Sequence, residues 1–197
     1  MRRAHPRVSG AAAPARSHGG GLPSPLLAAE LPRLREAAAR GPVVDLACGR
    51  GRHALVVAEA GIAVLGIDRD PRALAALAGA ARARALPVTA LRADLETPHG
   101  IPVRAGACGA ILVFRFLFRP LAPAIAAALA PGGLLLYETF TIDQRSMAQG
   151  PRNPAFLLEP GELPRLFPAL EVLGYSEAIR EGPEPEAVAR LCARRRG

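Results

Sequence analysis

A glycine loop between a strand-like run and a helix-like run constrains this chain more than any other feature. Residues 43–44 are β-branched and favour a strand, and they are followed by Gly49 and Gly51, which one residue separates. The apolar run 54–60 then favours a helix. Glycine at such a junction lets the backbone approach a ligand, and the unpaired N–H groups at the helix start face that ligand. The pattern predicts a site for a nucleotide-like cofactor, in which a bulky side chain at Gly51 would occupy ligand space.

Three aspartates end three successive apolar runs. Asp45 ends the first run, Asp68 the second and Asp94 the third, although the whole chain contains only five aspartates. Asp45 precedes the first glycine by four residues, which gives the motif D-x-x-x-G-x-G, and Asp68 follows Gly49 by nineteen. A carboxylate at the tip of the second strand is where a ribose diol is held by paired hydrogen bonds.

This motif and the two further strand-ending acids resemble the class I, or Rossmann-like, S-adenosylmethionine-dependent methyltransferases. The segments 131–140 and 153–163 are similar to those of the small tellurite-resistance and thiopurine-type methyltransferases. Enzymes that methylate nucleobase amines carry an N-P-P-[YF] or D-P-P-[YF] box after the fourth strand, where this chain has Phe-Arg-Phe-Leu-Phe at 114–118. The resemblance therefore implies a small-molecule acceptor.

The resemblance also implies where the cofactor lies. Asp45 and the glycine loop would hold the methionine part of S-adenosylmethionine, Asp68 the ribose hydroxyls, and Asp94 with Leu95 the adenine. The product S-adenosylhomocysteine would occupy the same place. Cys48 is interpreted as a packing residue of the loop and not as a nucleophile. The full set of implied cofactor-binding residues is Asp45, Ala47, Cys48, Gly49, Gly51, His53, Asp68, Arg69, Asp94, Leu95 and Phe114.

Strand-like and helix-like runs alternate five times before a closing pair of strands. This alternation predicts an α/β fold with a three-layer, doubly wound, seven-stranded sheet that is mostly parallel, with one antiparallel strand near the C-terminus. Asp70 and Pro71 mark a helix start, and a further helix over 121–130 is expected to end at the Pro-Gly-Gly of 131–133. The expected strands lie at 43–45, 62–67, 87–93, 109–114, 134–140, 170–179 and 187–194.

Composition limits the remaining possibilities. Residues 1–24 are rich in Gly, Pro, Ala, Ser and Arg and are expected to be a disordered tail, while 25–197 form one domain. The net charge is +8, but all 25 basic residues are arginine, which is more typical of a GC-rich genome than of a nucleic-acid surface. The opening Met1-Arg2-Arg3 is not followed by an apolar run of signal-peptide length, and no stretch of about 18 apolar residues, the length of a membrane span, occurs. We expect a cytoplasmic monomer or homodimer with reduced cysteines, no metal site, and no nucleic-acid or membrane partner.

Two alternatives stay open at this point. Gly49, Gly51 and Ala54 also satisfy the dinucleotide pattern G-x-G-x-x-[GA], which allows an NAD(P)-dependent oxidoreductase. The second alternative is a catalytically inactive protein that keeps the cofactor-binding fold and serves as a partner subunit. For methyl transfer to a soft or anionic nucleophile, no catalytic residue is assigned. The ionisable candidates at the pocket end are Arg115, Arg119 and Glu138. The arginines are either a solvated pair, which is slightly favoured, or groups that orient an anionic acceptor. The glutamate is either a structural acid that caps a nearby loop, which is also slightly favoured, or a proton acceptor.

Overall fold

Seven strands form one sheet in the computed structural model, which describes residues 22–181 and 184–197. The strands are β1 (Val43–Leu46), β2 (Val64–Asp68), β3 (Val88–Arg92), β4 (Cys108–Phe114), β5 (Leu129–Phe140), β6 (Leu170–Arg180) and β7 (Glu186–Arg195). The α-helices are α1 (Pro25–Ala38), α2 (Arg52–Glu59), α3 (Pro71–Ala83), α4 (Ala122–Ala128) and α5 (Glu162–Arg165). Short 3₁₀ helices cover Arg119–Leu121, Ile142–Ser146 and Pro154–Phe156. None of the described helices is long and apolar enough to cross a membrane.

The strand order across the sheet is β3-β2-β1-β4-β5-β7-β6. Neighbouring strands pair in parallel from β3 to β5, whereas β7 pairs antiparallel with both β5 and β6. The prediction of a mostly parallel seven-stranded sheet with one antiparallel strand is therefore confirmed. The strand order reverses between β1 and β4. A crevice therefore lies between these two strands, at their carboxyl ends.

Local sequence signals explain the helix starts. Asp70 caps α3 by accepting the N–H of Arg72 at 2.8 Å, and Pro71 occupies the first helical position. Ser24 caps α1 in the same way through the N–H of Leu26. Ser24 is buried and caps this helix, so the expected disordered tail of residues 1–24 is wrong at least at Ser24. The rest of that prediction, residues 1–21, lies outside the described residues.

Helices bury apolar side chains on both faces of the sheet, which accounts for the three layers. One core lies between the sheet and the later helices, with α4 contributing Ile125 and Ala128, the preceding turn Leu121, and α5 Leu163. The other core contains Leu27 and Leu34 from α1 together with side chains of α2 and α3. All seven residues of β4 are buried, as expected for the central strand that both cores share.

The boundary between α4 and β5 differs from the expectation. The helix ends at Ala128, and β5 begins at Leu129, before the Pro-Gly-Gly segment. Leu129 pairs with Cys108, but the next pair joins Ala110 to Leu134, so the segment 130–133 forms a bulge in the strand. The Pro-Gly-Gly segment does interrupt the regular pairing, as its sequence predicts, but pairing with β4 on both sides of it makes the strand continuous.

Candidate cofactor and acceptor site

The glycine loop after β1 has the backbone conformation that its sequence demands. Gly49 and Gly51 have φ of 56° and 82°, and Ala47 also takes the left-handed conformation, with φ of 53°. Non-glycine residues rarely adopt this conformation, and such strain concentrates at functional sites. Arg115, directly after the neighbouring strand β4, shares it with φ of 56°. The two strands that flank the crevice are thus both followed by a strained residue.

Asp68, at the end of β2, holds the loop in place. Its Oδ2 accepts the N–H of Gly49 at 2.8 Å, and its Oδ1 accepts the N–H of Asp70 at 2.9 Å. A carboxylate oxygen has two lone-pair directions, so each oxygen keeps capacity for a further donor. Asp68, the side chain predicted to hold the ribose, therefore lies beside the glycine loop, in agreement with the sequence spacing.

Gly51 is required for a reason other than the expected one. A Cβ at this position would lie 2.1 Å from Cδ1 of Leu77, which is fully buried in α3. The expectation that a side chain here would occupy ligand space is wrong, because the space that it would enter belongs to the core between α2 and α3. Cys48 packs nearby, with its Sγ 3.0 Å from where a Cβ at Gly66 would stand. Burial raises the pKa of the Cys48 thiol, which agrees with a packing role.

Asp45 is the most unusual polar group of the site. It is 1% exposed, and its Oδ2 has no hydrogen-bond partner among the described residues. Its carboxylate interacts with the N–H of Ala54 in α2. Burial raises the pKa of Asp45 to about 7, despite that hydrogen bond and the nearby Arg52. An unsatisfied buried carboxylate oxygen is costly unless a ligand supplies the missing donor.

The predicted adenine region follows β3. Asp94 accepts the N–H of Glu96 at 2.9 Å, and Leu95 between them is buried. Arg69, which follows Asp68, forms an ion pair with Glu96 at 3.0 Å and thereby joins the ends of β2 and β3. Arg69, Asp94 and Leu95 therefore lie together at one end of the crevice.

The side chains of His53 and Phe114 stack on each other. Their rings stack with centroids 3.7 Å apart, and His53 Nε2 accepts the N–H of Ser24 at 3.1 Å. Burial, with the charges of Arg52 and Arg115, lowers the pKa of His53 to about 3, so the imidazole is neutral. Both side chains are buried. The cofactor role predicted for these two residues stays a prediction, and for His53 it would use the backbone N–H at the start of α2.

Arg119 does not face the crevice as a free cation. Its guanidinium donates to both carboxylate oxygens of Glu162, at 2.5 and 2.9 Å, and to the carbonyls of Ala155 and Leu157. These bonds fix the loop before α5 to the segment after β4. These contacts disfavour the candidate role of Arg119 in orienting an anionic acceptor, because its donors already hold the chain, although the ion pair also differs from a solvated arginine.

Glu138, the candidate base, is also held by the fold. It is 2% exposed, and its Oε2 accepts from Ser24 Oγ at 2.6 Å and from Arg190 Nε at 2.7 Å. Two donors on one oxygen favour the structural interpretation over proton transfer. Ser24 and Arg190 had no motif to reveal them, although the pairing of β5 with β7 places Arg190 opposite Glu138.

No cluster of His, Cys, Asp and Glu side chains suited to a metal ion occurs within residues 22–181 and 184–197.

Comparison with known proteins identifies the segment that carries this site. The sequence model of a family described as a methyltransferase domain matches residues 43–133, from β1 to the bulge in β5. The resemblance to S-adenosylmethionine-dependent methyltransferases is thereby confirmed. No curated protein matches the sequence at a significant level.

Solved structures agree on the fold. TehB from Haemophilus influenzae is 18% identical, with a TM-score of 0.70, and the alignment covers 85% of this chain but only 62% of TehB. An S-adenosylmethionine-dependent methyltransferase from Mesorhizobium loti is 19% identical, with a TM-score of 0.64 and coverage of 85% and 98%. The [4+2]-cyclase SpnF is 21% identical, with a TM-score of 0.64 and coverage of 86% and 82%.

Proposed function

We propose that the protein transfers the methyl group of S-adenosylmethionine to a small-molecule acceptor, because residues 43–133 match the sequence model of a methyltransferase domain. The acceptor atom is a soft or anionic nucleophile, such as a thiol, a selenium or tellurium species, a carboxylate or a hydroxyl. The observation that carries the proposal is Asp45 Oδ2, a buried oxygen that lacks a donor among the described residues and directly precedes the glycine loop.

The residues at the carboxyl ends of β1, β2 and β3 suit this cofactor. The methionine part carries an ammonium group, which would satisfy the unpartnered oxygen of Asp45 and stabilise its ionised form. The ribose diol would use the remaining acceptor capacity of Asp68. Leu95 would offer apolar surface to the adenine, with Asp94 at its edge.

Bound S-adenosylmethionine supplies a methyl group that is already activated by a positively charged sulfur. The chain therefore has to orient the reactants and exclude water, and it needs a base only if the acceptor must lose a proton. The strained loop around Ala47, which Asp68 holds, and the buried stack of His53 and Phe114 are elements suited to orientation. No proton transfer is assigned, because the carboxylate of Glu138 is held by Ser24 and Arg190.

Calorimetry with the purified protein tests the cofactor. We expect S-adenosylmethionine and S-adenosylhomocysteine to bind with one-to-one stoichiometry and NAD to give no heat. Binding of NAD without either sulfur compound would overturn the proposal in favour of an oxidoreductase. A native mass spectrum of the freshly purified protein provides an independent identification of any retained cofactor.

The structural likeness to SpnF defines a second experiment, because SpnF is a [4+2]-cyclase. A shared fold does not fix the reaction. Release of S-adenosylhomocysteine should therefore be measured with a panel of thiol, carboxylate and selenium acceptors. Cofactor binding without product release from any of them would favour the inactive-partner alternative.

A further inference from the structure

Four arginines from distant parts of the chain lie at the carboxyl ends of β1, β4 and β5. Arg52 begins α2, Arg115 follows β4, Arg180 ends β6, and Arg190 lies in β7 opposite Glu138. The antiparallel direction of β7 brings its early residues to the carboxyl end of β5, and the pairing of Arg180 with Glu186 brings the end of β6 to the same edge. We refer to Arg52, Arg115, Arg180 and Arg190 as the arginine cluster.

Ion pairs join three members of the cluster to two glutamates. Arg115 donates to Glu186 at 2.7 Å, and Arg180 also donates to Glu186. Arg190 donates to Glu138, whose same oxygen accepts from Ser24. Burial lowers the pKa of Arg52, and the charges of Arg115 and Arg180 lower it further, whereas Glu186 and Glu138 raise it.

The cluster contains more positive than negative charge. Its four guanidinium groups face the carboxylates of Glu138 and Glu186, and Asp45 lies near Arg52, so positive charge is in excess among the described residues. The ion-paired members are only about a quarter exposed, with side-chain values of 29% for Arg115, 28% for Arg180 and 21% for Arg190. Partly buried like charges repel each other strongly, so an excess of this kind is stabilised by an anion that enters from the crevice.

Guanidinium groups are well suited to that anion. Their planar donors match carboxylate and oxyanion geometry, often through two parallel hydrogen bonds. A neutral acceptor would leave the excess charge uncompensated. A nucleic acid would require a broad basic surface, whereas these four side chains converge on one edge of the sheet.

We propose that the methyl acceptor is a small organic anion whose carboxylate or oxyanion group binds the arginine cluster. This inference rests on the proposed function, and it assigns the substrate class. The cluster then selects acceptors by charge and directs the nucleophilic atom toward the β1 side of the crevice, where the cofactor would lie.

Binding of simple probes tests the proposal without knowledge of the acceptor. The full chain is first titrated with S-adenosylhomocysteine, and the complex is then titrated with malonate, with sulfate and with malonamide at constant ionic strength. Malonamide has nearly the shape of malonate without its charge. We expect malonate to bind at least about tenfold more tightly than malonamide, because charge-assisted bonds to guanidinium are lost in the amide. The comparison of malonate with sulfate distinguishes a preference for carboxylate from one for a tetrahedral oxyanion.

Substitutions identify the residues responsible. Arg180→Gln and Arg52→Gln should each weaken malonate binding by about tenfold, whereas Arg82→Gln, on the exposed side of α3, should leave it unchanged. Arg180→Lys keeps the charge but loses the planar donors, so its affinity should be intermediate. Circular dichroism and the melting temperature of each variant separate loss of binding from loss of folding. The Lys variant provides the same comparison if Arg180→Gln does not fold.

Two results would overturn the inference. One is equal binding of malonate and malonamide by a protein that binds S-adenosylhomocysteine, which would leave the proposed function intact. The other is an equal loss of malonate affinity in Arg180→Gln and Arg82→Gln, which would indicate a general effect of net charge. If S-adenosylhomocysteine itself fails to bind, the proposed function is wrong, and the same titrations without it still report whether the cluster binds anions.

Discussion

Asp68 Oδ2 accepts the backbone N–H of Gly49 at 2.8 Å, which joins the end of β2 to the glycine loop after β1. One carboxylate therefore shapes the loop and also provides the predicted ribose contact. Loop stability and cofactor affinity should depend on the same side chain.

Replacement of Asp68 by alanine tests this dual role. The variant loses acceptors for two backbone N–H groups, so we expect the free energy of unfolding to fall by about 1–3 kcal/mol. The dissociation constant for S-adenosylmethionine should rise at least about tenfold, because a charge-assisted contact to ribose is lost. Urea unfolding and calorimetry measure the two effects. Asp143→Ala, at an exposed position, is the control and should change neither.

Gly51 and Gly61 form a matched pair for separating backbone strain from crowding. Both have left-handed backbones, with φ of 82° and 79°, but a Cβ meets Leu77 at Gly51 and nothing within 4 Å at Gly61. Gly61→Ala should cost about 1–2 kcal/mol, which is the penalty for the left-handed conformation alone. Gly51→Ala should cost clearly more, since the buried Leu77 must also move. Equal losses in denaturant unfolding would show that the contact with Leu77 is easily relieved.

Asp45 should make stability depend on pH in an unusual direction. Its folded pKa of about 7 lies above the ordinary value, so the folded state holds a proton that the unfolded state has released. This contribution is fully present below the unfolded value of about 4 and is lost as the pH rises through 7. Unfolding free energies from pH 4 to 8 should therefore fall less steeply in Asp45→Asn than in the parent chain.

The same group predicts proton release on cofactor binding. An ammonium group beside Asp45 would favour the ionised carboxylate, so binding below pH 7 should expel a proton. Calorimetry in buffers of different ionisation enthalpy measures that proton directly. Asp45→Asn provides the control, because it has no proton to release at this position. Heats that do not vary with the buffer would place the ammonium group elsewhere.

Arg119 should hold the loop before α5 in place without affecting the binding of the cofactor. Arg119→Gln loses the paired bonds to Glu162 and weakens the hold on the carbonyls of Ala155 and Leu157. We expect faster amide hydrogen exchange over 154–166 with an unchanged dissociation constant for S-adenosylhomocysteine. Arg194→Gln is a suitable control, because its ion pair with Glu171 is about half exposed and should contribute little.

The cofactor half of the site could be predicted from sequence because it is local. Glycine spacing, strand-ending aspartates and the Asp70 cap all act within a few residues, and the structure places Asp45, Asp68 and the loop together. The contacts of Glu138 and Arg119 could not be predicted, because they depend on segments that are distant in the sequence. Nothing near Arg190 indicates that its partner is Glu138, and nothing near Arg119 indicates that Glu162 will occupy it.

The reversed direction of β7 has a consequence for how the molecule is made. Glu138 is separated by 52 residues from Arg190, the cation that lies opposite it, whereas Gly49 and Asp68 are only 19 residues apart. During synthesis from the N-terminus, the cofactor loop can close while Glu138 still lacks its cation. In a nascent chain that stops before β7, Glu138 has the hydroxyl of Ser24 as a partner but lacks the cation that lies opposite it in the complete sheet. Until β7 pairs with it, β5 is an edge strand held only by β4, so chains that end before β7 should be less stable and more open to proteolysis.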